Sequence, residues 1–223
     1  GTWARVASLA PVPMPGGDLA TLRPGRMAAS YLLAAGLDPA AAGLSADELR
    51  AVRLQIERKL NCPATTSAGR FLDAVAAWLG ISRERTYEGE PAMRLEAAAA
   101  GGKVLPVPLE YGVDEGRRLL DTVALFRALV GLREGGASPP DLAATAQASL
   151  SRGLAELAVD TARKEGITCV GLTGGVAVND AIASTVRAEV ERAGLRFLAH
   201  RLVPPGDGGL AFGQLAQAAR SGR

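Results

Sequence analysis

The chain has 223 residues, of which 48% are hydrophobic, and its 25 basic and 23 acidic residues give a formal net charge of +2. This composition excludes a disordered chain, and its dispersed basic residues give no reason to expect binding to nucleic acid. No apolar stretch reaches the length of a membrane span, and no signal-peptide pattern is present. Because there are two cysteines and a single histidine, His200, a disulfide framework and a metal site built from two histidines of this chain are both excluded, and the cytoplasm is the expected compartment.

The first part of the chain predicts one strand followed by helices. Residues 2–9 alternate between apolar and polar side chains, which is typical of a strand. The prolines and glycines at 11–17 predict an irregular loop. A helix is expected at 24–36, because proline suits the first helical turn. Another is expected after Ser45, where Glu48 stands three residues further on, as in a capping box.

A Thr-Thr-Ser cluster at 65–67 precedes an amphipathic helix. The cluster is typical of an N-cap. Gly69, in the first turn, costs helix stability and therefore indicates close approach by another group. Residues 87–91 predict a turn before a further helix. The later elements are an edge strand or irregular segment at 104–109 and helices at 123–132 and 138–166.

Residues 167–214 contain two glycine pairs, each of which follows a short apolar run. Between them Ile182, Val186 and Val190 recur every four residues, which is helical spacing. The order strand, glycine turn, helix, strand predicts a β-α-β unit. Such units bind ligands where the chain leaves a strand, since glycines admit a ligand to the backbone and the next helix offers free amides to an anion. The segment therefore predicts a nucleotide or another phosphorylated ligand.

Two motifs in this segment allow either a structural or a functional interpretation. Gly174 and Gly175 make either a tight turn before a helix capped by Asn179, or a turn against adenosine or phosphate with Asn179 bonded to the base or sugar. Asp207 is either an N-cap favoured by the helix dipole or a carboxylate that binds a phosphate-bridging metal. The chain lacks a P-loop, a Gly-x-Gly-x-x-Gly motif after a strand and a Gly-x-Ser-x-Gly elbow, so those enzyme classes are unsupported.

Five signatures occur in chain order: PMPGGD at 13–18, TTSAGRFLDAV at 65–75, TYEGE at 86–90, GGVAVN at 174–179 and HRLVPPGDGGLAFGQ at 200–214. Together they resemble the C-terminal region of the hydrogenase-maturation carbamoyltransferase (HypF) family. Its wider relatives are the tRNA threonylcarbamoyl transferases and the antibiotic O-carbamoyltransferases. The resemblance implies a helix-rich α/β fold that forms a partial actin/Hsp70-like (RNase H-like) nucleotide-binding lobe. Residues 1–223 are then a single partial domain, most of the second lobe of a two-lobed carbamoyltransferase domain, with a helical insertion at about 24–60.

The resemblance also implies a reaction and its partners. Family members cleave carbamoyl phosphate, make carbamoyl-adenylate from ATP in a neighbouring domain, and pass the carbamoyl group to the C-terminal cysteine of HypE. The resulting thiocarboxamide becomes the cyanide ligand of NiFe hydrogenase. Since the nucleophile is the partner's thiolate, no catalytic residue is assigned in this chain. Further partners are the upstream domains of the same enzyme, and the fragment alone is expected to be inactive.

Site residues follow from the resemblance position by position. Thr66, Gly69, Glu88 and Gly89 are expected at the nucleotide's sugar, and Gly174, Gly175 and Asn179 at its adenosine end. Asp207 is expected to bind a divalent metal (iron, zinc or magnesium) whose site is completed by histidines absent from this chain.

Two departures and two alternatives accompany this assignment. The family's paired-histidine metal motif is expected upstream of this sequence, and Ala146-Gln147 stands where the family usually has Phe-His. Arg70, where the tRNA-modifying relatives have glutamate, favours HypF. An O-carbamoyltransferase acting on a small-molecule hydroxyl is one alternative. The other is a non-catalytic nucleotide-binding or partner-docking fragment.

Overall fold

A computed structural model of the chain describes residues 3–221. The chain divides into two compact units, one extending to Gly153 and the other beginning at Leu154. The helices are α1 (Asp18–Leu22), α2 (Gly25–Ala34), α3 (Ala46–Arg58), α4 (Ala68–Trp78), α5 (Glu90–Ala98), α6 (Thr122–Glu134), α7 (Pro139–Lys164), α8 (Asp180–Arg192) and α9 (Leu210–Ser221). The strands are β1 (Ala7–Leu9), β2 (Val12–Pro13), β3 (Ala64–Thr65), β4 (Tyr111–Asp114), β5 (Arg117–Leu120), β6 (Cys169–Gly171) and β7 (Arg196–Leu198).

Short strands form small sheets within each unit. In the first unit β5 lies between β1, to which it is parallel, and β4, to which it is antiparallel. Strand β2 pairs antiparallel with β3. In the second unit β6 and β7 are parallel neighbours, and α8 connects them along the chain. The second unit therefore contains the β-α-β unit that the sequence predicts.

An aromatic cluster forms part of the core of the first unit. The Tyr31 ring stacks on Phe126 with centroids 5.2 Å apart and meets the edge of Phe71 at 5.6 Å. Trp78 adds a tilted contact with Phe126 at 5.4 Å. The hydroxyl of Tyr31 hydrogen bonds to that of Thr122, and burial raises the pKa of Tyr31. These contacts join α2, α4 and α6, so the amphipathic pattern of α4 is satisfied by packing.

The first part of α7 lies against β5 and an extended segment. A Cβ placed on Gly153 would lie 2.5 Å from a Leu120 methyl, so glycine permits the close approach of helix and strand. The amide of Lys103 donates to the carboxylate of Asp141, and the amide of Leu105 donates to the hydroxyl of Thr145. These bonds hold residues 103–110 without a regular strand, in agreement with the irregular alternative for 104–109.

Most predicted helices are observed, whereas two predictions about strands need correction and one hairpin was missed. The expected strand at 2–9 is regular only over Ala7–Leu9, and Thr2 lies outside the described residues. The expected loop at 11–17 contains β2, which pairs with β3. The hairpin of β4 and β5 was not predicted at all. No helix in the described part of the chain is long and apolar enough to cross a membrane.

Candidate functional site

Thr66 and Gly69 lie at the start of α4, where the chain leaves β3. The side chain of Ser67 caps the helix by accepting the Arg70 amide, so the N-cap interpretation of residues 65–67 is correct. A Cβ placed on Gly69 would meet only the Ser67 hydroxyl, at 3.5 Å. Space beside Gly69 is therefore open to an outside group rather than filled by another part of this unit.

The Thr66 hydroxyl has a partner that the sequence did not indicate. It accepts a 2.7 Å hydrogen bond from Nη2 of Arg5, whose side chain is exposed. A guanidinium beside an exposed hydroxyl at a helix N-terminus favours an anionic or hydroxyl-rich ligand. Only tertiary structure brings Arg5 to this place, because 61 residues separate it from Thr66.

Glu88 and Gly89 form the turn that begins α5. Gly89 has φ of +76° and is the N-cap, a conformation that favours glycine. The turn is held by Glu90, whose buried carboxylate accepts bonds from the Thr86 amide at 2.6 Å and the Thr86 hydroxyl at 2.8 Å. These two hydrogen bonds lower the pKa of Glu90. Glu88 itself is exposed, so its side chain is free to face solvent or a ligand.

A buried ion pair lies one turn further along α4. Nη2 of Arg70 is 2.9 Å from Oδ2 of Asp73, yet the two groups do not meet in hydrogen-bond geometry, and both Asp73 oxygens lack a hydrogen-bond partner. Burial raises the pKa of Asp73 from its ordinary value of 3.8 to about 6, although Arg70 and Arg85 oppose the shift. Asp73 is therefore a carboxyl group that changes charge close to neutral pH.

In the second unit the two glycine motifs come together. The Gly174 amide donates to the Pro205 carbonyl at 2.7 Å, and the Thr173 hydroxyl donates to the same oxygen at 3.1 Å. His200 Nε2 lies 3.0 Å from the Thr173 hydroxyl. A Cβ placed on Gly206 would be 3.9 Å from the Cα of Gly175. The turn after β6 and the loop before α9 therefore form one glycine-lined surface.

Asn179 and Asp207 differ in their exposure to solvent. Asn179 is buried, and its Oδ1 accepts the Ile182 amide at 2.9 Å, so the capping interpretation of Asn179 is correct. Asp207 is exposed and begins a short 3₁₀ turn for which Gly206 is the N-cap. The N-cap interpretation of Asp207 is therefore wrong, and its carboxylate faces solvent.

A groove of about 790 Å³ adjoins the Asp207 loop within the second unit. This volume is within the range of small-molecule sites. Thr173 and His200 supply polar groups, while much of the remaining lining is apolar. The lining residues include Thr173, His200, Pro204, Gly206, Phe212 and Gln217.

Asp207 supplies one possible metal ligand, and the structure tests whether the chain supplies the rest. Among residues 3–221, no group of three His, Cys, Asp or Glu side chains is arranged to hold a metal ion. An exposed carboxylate fits the role of a single ligand. The chain therefore fits a metal only where other ligands come from elsewhere.

Ala146 and Gln147 are both buried in α7. The Gln147 amide nitrogen donates to the Ala143 carbonyl, 3.4 Å away, within the same helix. The pair thus packs inside the first unit.

The predicted site residues belong to two groups, one in each unit. Thr66, Gly69, Glu88 and Gly89 lie at the N-termini of α4 and α5, which pack on each other in the first unit. Sequence reasoning missed Arg5 and Glu90, and only Glu90 left a signal, since it stands four residues after Thr86 at the start of a helix. The second group is Gly174, Gly175, Asn179 and Asp207.

Comparison with known proteins identifies the class to which this fold and these turns belong. A family model described as "Carbamoyltransferase, Kae1-like Domain, second subdomain" matches residues 1–214. The probable carbamoyltransferase HypF of Methanocaldococcus jannaschii is 40% identical over 205 residues, which cover 89% of this chain and 26% of that protein. The chain belongs to the HypF carbamoyltransferase family.

Solved structures agree with this assignment. HypF of T. kodakarensis matches with a TM-score of 0.83 and 35% identity, over 95% of this chain and 29% of that chain. A full-length HypF in its phosphate- and nucleotide-bound form matches with a TM-score of 0.85 and 26% identity, over 96% of this chain and 28% of that chain. These matches confirm the helix-rich α/β fold of the Kae1-like class. The chain spans less than a third of the length of each of these three proteins.

Proposed function

We propose that this chain is part of an enzyme that transfers a carbamoyl group from carbamoyl-adenylate to the C-terminal cysteine of a HypE-like maturation protein. The product would serve synthesis of the cyanide ligand of NiFe hydrogenase, in the cytoplasm. Membership of the HypF family, with a match to its Kae1-like second subdomain over residues 1–214, carries the proposal. Carbamoyl phosphate and ATP would be the sources of the activated group.

Backbone groups and short polar side chains would bind the nucleotide. Thr66, Gly69 and the Glu88–Gly89 turn would contact the sugar, and the surface around Gly174, Gly175 and Asn179 would contact the adenosine end. Open space supports these roles, since a Cβ on Gly174 would meet no atom of the described residues within 4 Å and one on Gly69 would meet only the Ser67 hydroxyl. Because one similar HypF structure is in a phosphate- and nucleotide-bound form, a nucleotide is the first ligand to test.

A divalent metal (iron, zinc or magnesium) would neutralise charge on the phosphate of carbamoyl-adenylate and so would assist the departure of AMP. Asp207 would be its ligand in this chain, with histidines supplied from outside the sequence. Asp207 is exposed beside the glycine-lined surface, which supports the assignment.

The chain's own groups would bind and position the acyl donor. Carbamoyl-adenylate carries a good leaving group, so fixing the donor against the attacking thiolate and stabilising the phosphate would supply much of the rate enhancement. Backbone amides suit this task, because they donate hydrogen bonds without needing to change protonation state. The Gly174 amide is not one of them, since it is bonded to the Pro205 carbonyl. The nucleophile would be the partner's thiolate. It would form the new C–S bond as the bond between the carbamoyl carbon and the phosphate oxygen breaks and AMP leaves.

Carbamoylation of a HypE C-terminal peptide, measured by intact mass, tests the proposal. Carbamoyl phosphate and ATP are supplied with this chain alone, and with this chain fused behind the upstream region of the Methanocaldococcus jannaschii relative. Modification by the fusion alone is expected. Modification by the 223 residues alone would overturn the requirement for outside histidines.

A variant pair sharpens this experiment. In the fusion, Asp207→Asn is expected to lower the rate by at least about tenfold, since charge stabilisation at a phosphate is lost. Asp114→Asn, which changes an exposed carboxylate on β4, is the matched control. If neither protein modifies the peptide, the proposal is replaced by one of two alternatives, transfer to a small-molecule hydroxyl or a partner-docking role. Binding of HypE in the absence of nucleotide would favour the docking role.

A further inference from the structure

The PMPGGD segment at 13–18 has no role in the proposed function, yet it is held by buried side chains. Beyond Pro13, two backbone hydrogen bonds continue the register of the β2–β3 pair. The Met14 amide donates to the Pro63 carbonyl at 2.8 Å, and the Gly16 amide donates to the Asn61 carbonyl at 2.9 Å. Residues 12–14 therefore pair with residues 63–65, and the turn that follows, closed by the Gly17 amide on the Met14 carbonyl at 3.1 Å, stays bonded to Asn61.

The opposite side of this segment carries backbone carbonyl oxygens but no amide hydrogens. Successive carbonyls of a strand point to opposite sides, so the Pro13 carbonyl faces away from β3, and the Pro15 carbonyl lies in the turn that follows. Proline has no amide hydrogen, and this edge therefore offers oxygens only. Oxygens buried there need hydrogen-bond donors, which another strand would supply in an ordinary sheet.

Two side chains of α2, one helical turn apart, supply these donors. The Ser30 hydroxyl donates to the Pro13 carbonyl at 2.6 Å, and Nε of Arg26 donates to the Pro15 carbonyl at 2.9 Å. Both side chains are buried, with exposed fractions of 1% for Ser30 and 4% for Arg26. A Cβ placed on Gly16 would lie 3.2 Å from the Arg26 guanidinium, so glycine allows this approach.

The Arg26 guanidinium is itself fixed by α3. Its Nη1 lies 3.2 Å from a Glu48 oxygen, and its Nη2 donates to Gln55. Every nitrogen of the fork is thus engaged, and the buried charge is paired. Arg23 contacts the same Glu48 oxygen at 3.2 Å, but its side chain is half exposed.

We propose that Arg26 and Ser30 are positioning residues that hold residues 12–16, and through them Thr66, in place for ligand binding. The path is short, because β3 ends at Thr65 and the next residue is Thr66. The Thr65 hydroxyl accepts the Ser67 amide at 3.2 Å, which links β3 to the cap of α4. The consequence for nucleotide affinity rests on the proposed function, whereas the positioning of Thr66 does not.

Amide hydrogen exchange measured by NMR tests the contacts directly. Arg26→Lys keeps the charge but cannot reproduce the planar fork. It is expected to speed exchange at Met14 and Gly16 by about tenfold relative to the Val75 amide of α4, because a hydrogen bond to a charged group is lost. Ser30→Ala, a milder change that serves if Arg26→Lys does not fold, is expected to speed exchange at Met14 about threefold.

Two further readouts separate positioning from general stabilisation. The Thr66 amide chemical shift should move in both variants, and the dissociation constant for ATP should rise severalfold by calorimetry.

Arg23→Lys is the control, with all values expected near wild type, since Arg23 has no bond to residues 12–16. An unchanged exchange ratio or an unmoved Thr66 shift would overturn the proposal. So would unchanged ATP affinity in variants of a chain that binds ATP. If the unchanged chain binds no ATP, the proposed nucleotide role fails, while exchange and the Thr66 shift still decide the positioning role.

Discussion

Asp73 is a buried carboxyl group whose charge depends on pH in the near-neutral range. Its pKa is raised from 3.8 to about 6, with burial as the largest cause. Folding therefore favours the protonated form. Stability from this group is fully present below the unfolded pKa and is lost as pH rises through the folded value. The Arg70 pair reduces this loss without removing it.

The variant Asp73→Asn isolates this effect. Its free energy of unfolding, relative to wild type, should rise by roughly 2 kcal/mol between pH 4 and pH 7.5, because asparagine does not ionise. Urea unfolding at both pH values measures the difference, and any constant cost of weakening the Arg70 contact cancels. A relative stability that does not change with pH would contradict a raised pKa.

Gly174 has a backbone conformation that other residues avoid. Its φ of +94° with ψ of 170° lies in a region occupied essentially by glycine. Gly174→Ala should therefore cost roughly 1–3 kcal/mol of stability or displace the turn, and should weaken nucleotide binding under the proposed function. Chemical unfolding and ATP titration measure the two effects.

Gly175 is the matched control for that substitution. Its φ is not positive, and a Cβ placed there meets no atom within 4 Å in the described residues. Gly175→Ala should change stability by less than about 1 kcal/mol. Equal losses of stability in the Gly174→Ala and Gly175→Ala variants would show that the backbone conformation of Gly174 has no special role.

At the scale of elements, the packing of α7 on β5 depends on Gly153. An alanine Cβ would lie 2.5 and 2.7 Å from the methyls of Leu120, which is fully buried. Gly153→Ala should therefore destabilise the protein by roughly 1–3 kcal/mol, although alanine favours helix.

Gly131→Ala in α6 measures only the difference in helix propensity between alanine and glycine. A Cβ at Gly131 meets nothing within 4 Å, so this variant should gain up to about 1 kcal/mol. Urea unfolding of the pair gives the comparison. A stabilised Gly153→Ala protein would contradict the close approach.

Local sequence signals located several elements because the interactions involved are short in sequence. Ser45, Ser67 and Asn179 each cap the helix that the sequence predicted to start there. The β4–β5 hairpin was missed, although its turn carries a signal: Glu115 and Gly116 both have positive φ, as the two central residues of a type I′ turn do. Glutamate is an uncommon residue there, which is why the signal was overlooked.

At the scale of the whole molecule, α4 of the first unit is buried far more completely than α8 of the second. Every residue of α4 from Phe71 to Trp78 is buried, whereas α8 buries only Ile182, Val186 and Val190 along one face. Local stability follows such burial. Amide protection in α4 is therefore expected to exceed that in α8 by at least about tenfold. Hydrogen exchange with mass spectrometry measures both helices in one experiment, and equal protection would contradict the expectation.

The sequence by itself determined the family, the helices with polar caps and the β-α-β order, because these depend on motifs and on contacts three or four residues apart. Only tertiary structure revealed that Arg5 meets Thr66 and that Arg26 binds the Pro15 carbonyl. Only tertiary structure also showed that Asp73 is buried without hydrogen bonds. Burial and long-range pairing arise when distant segments pack, and no local pattern of residue types specifies the partner.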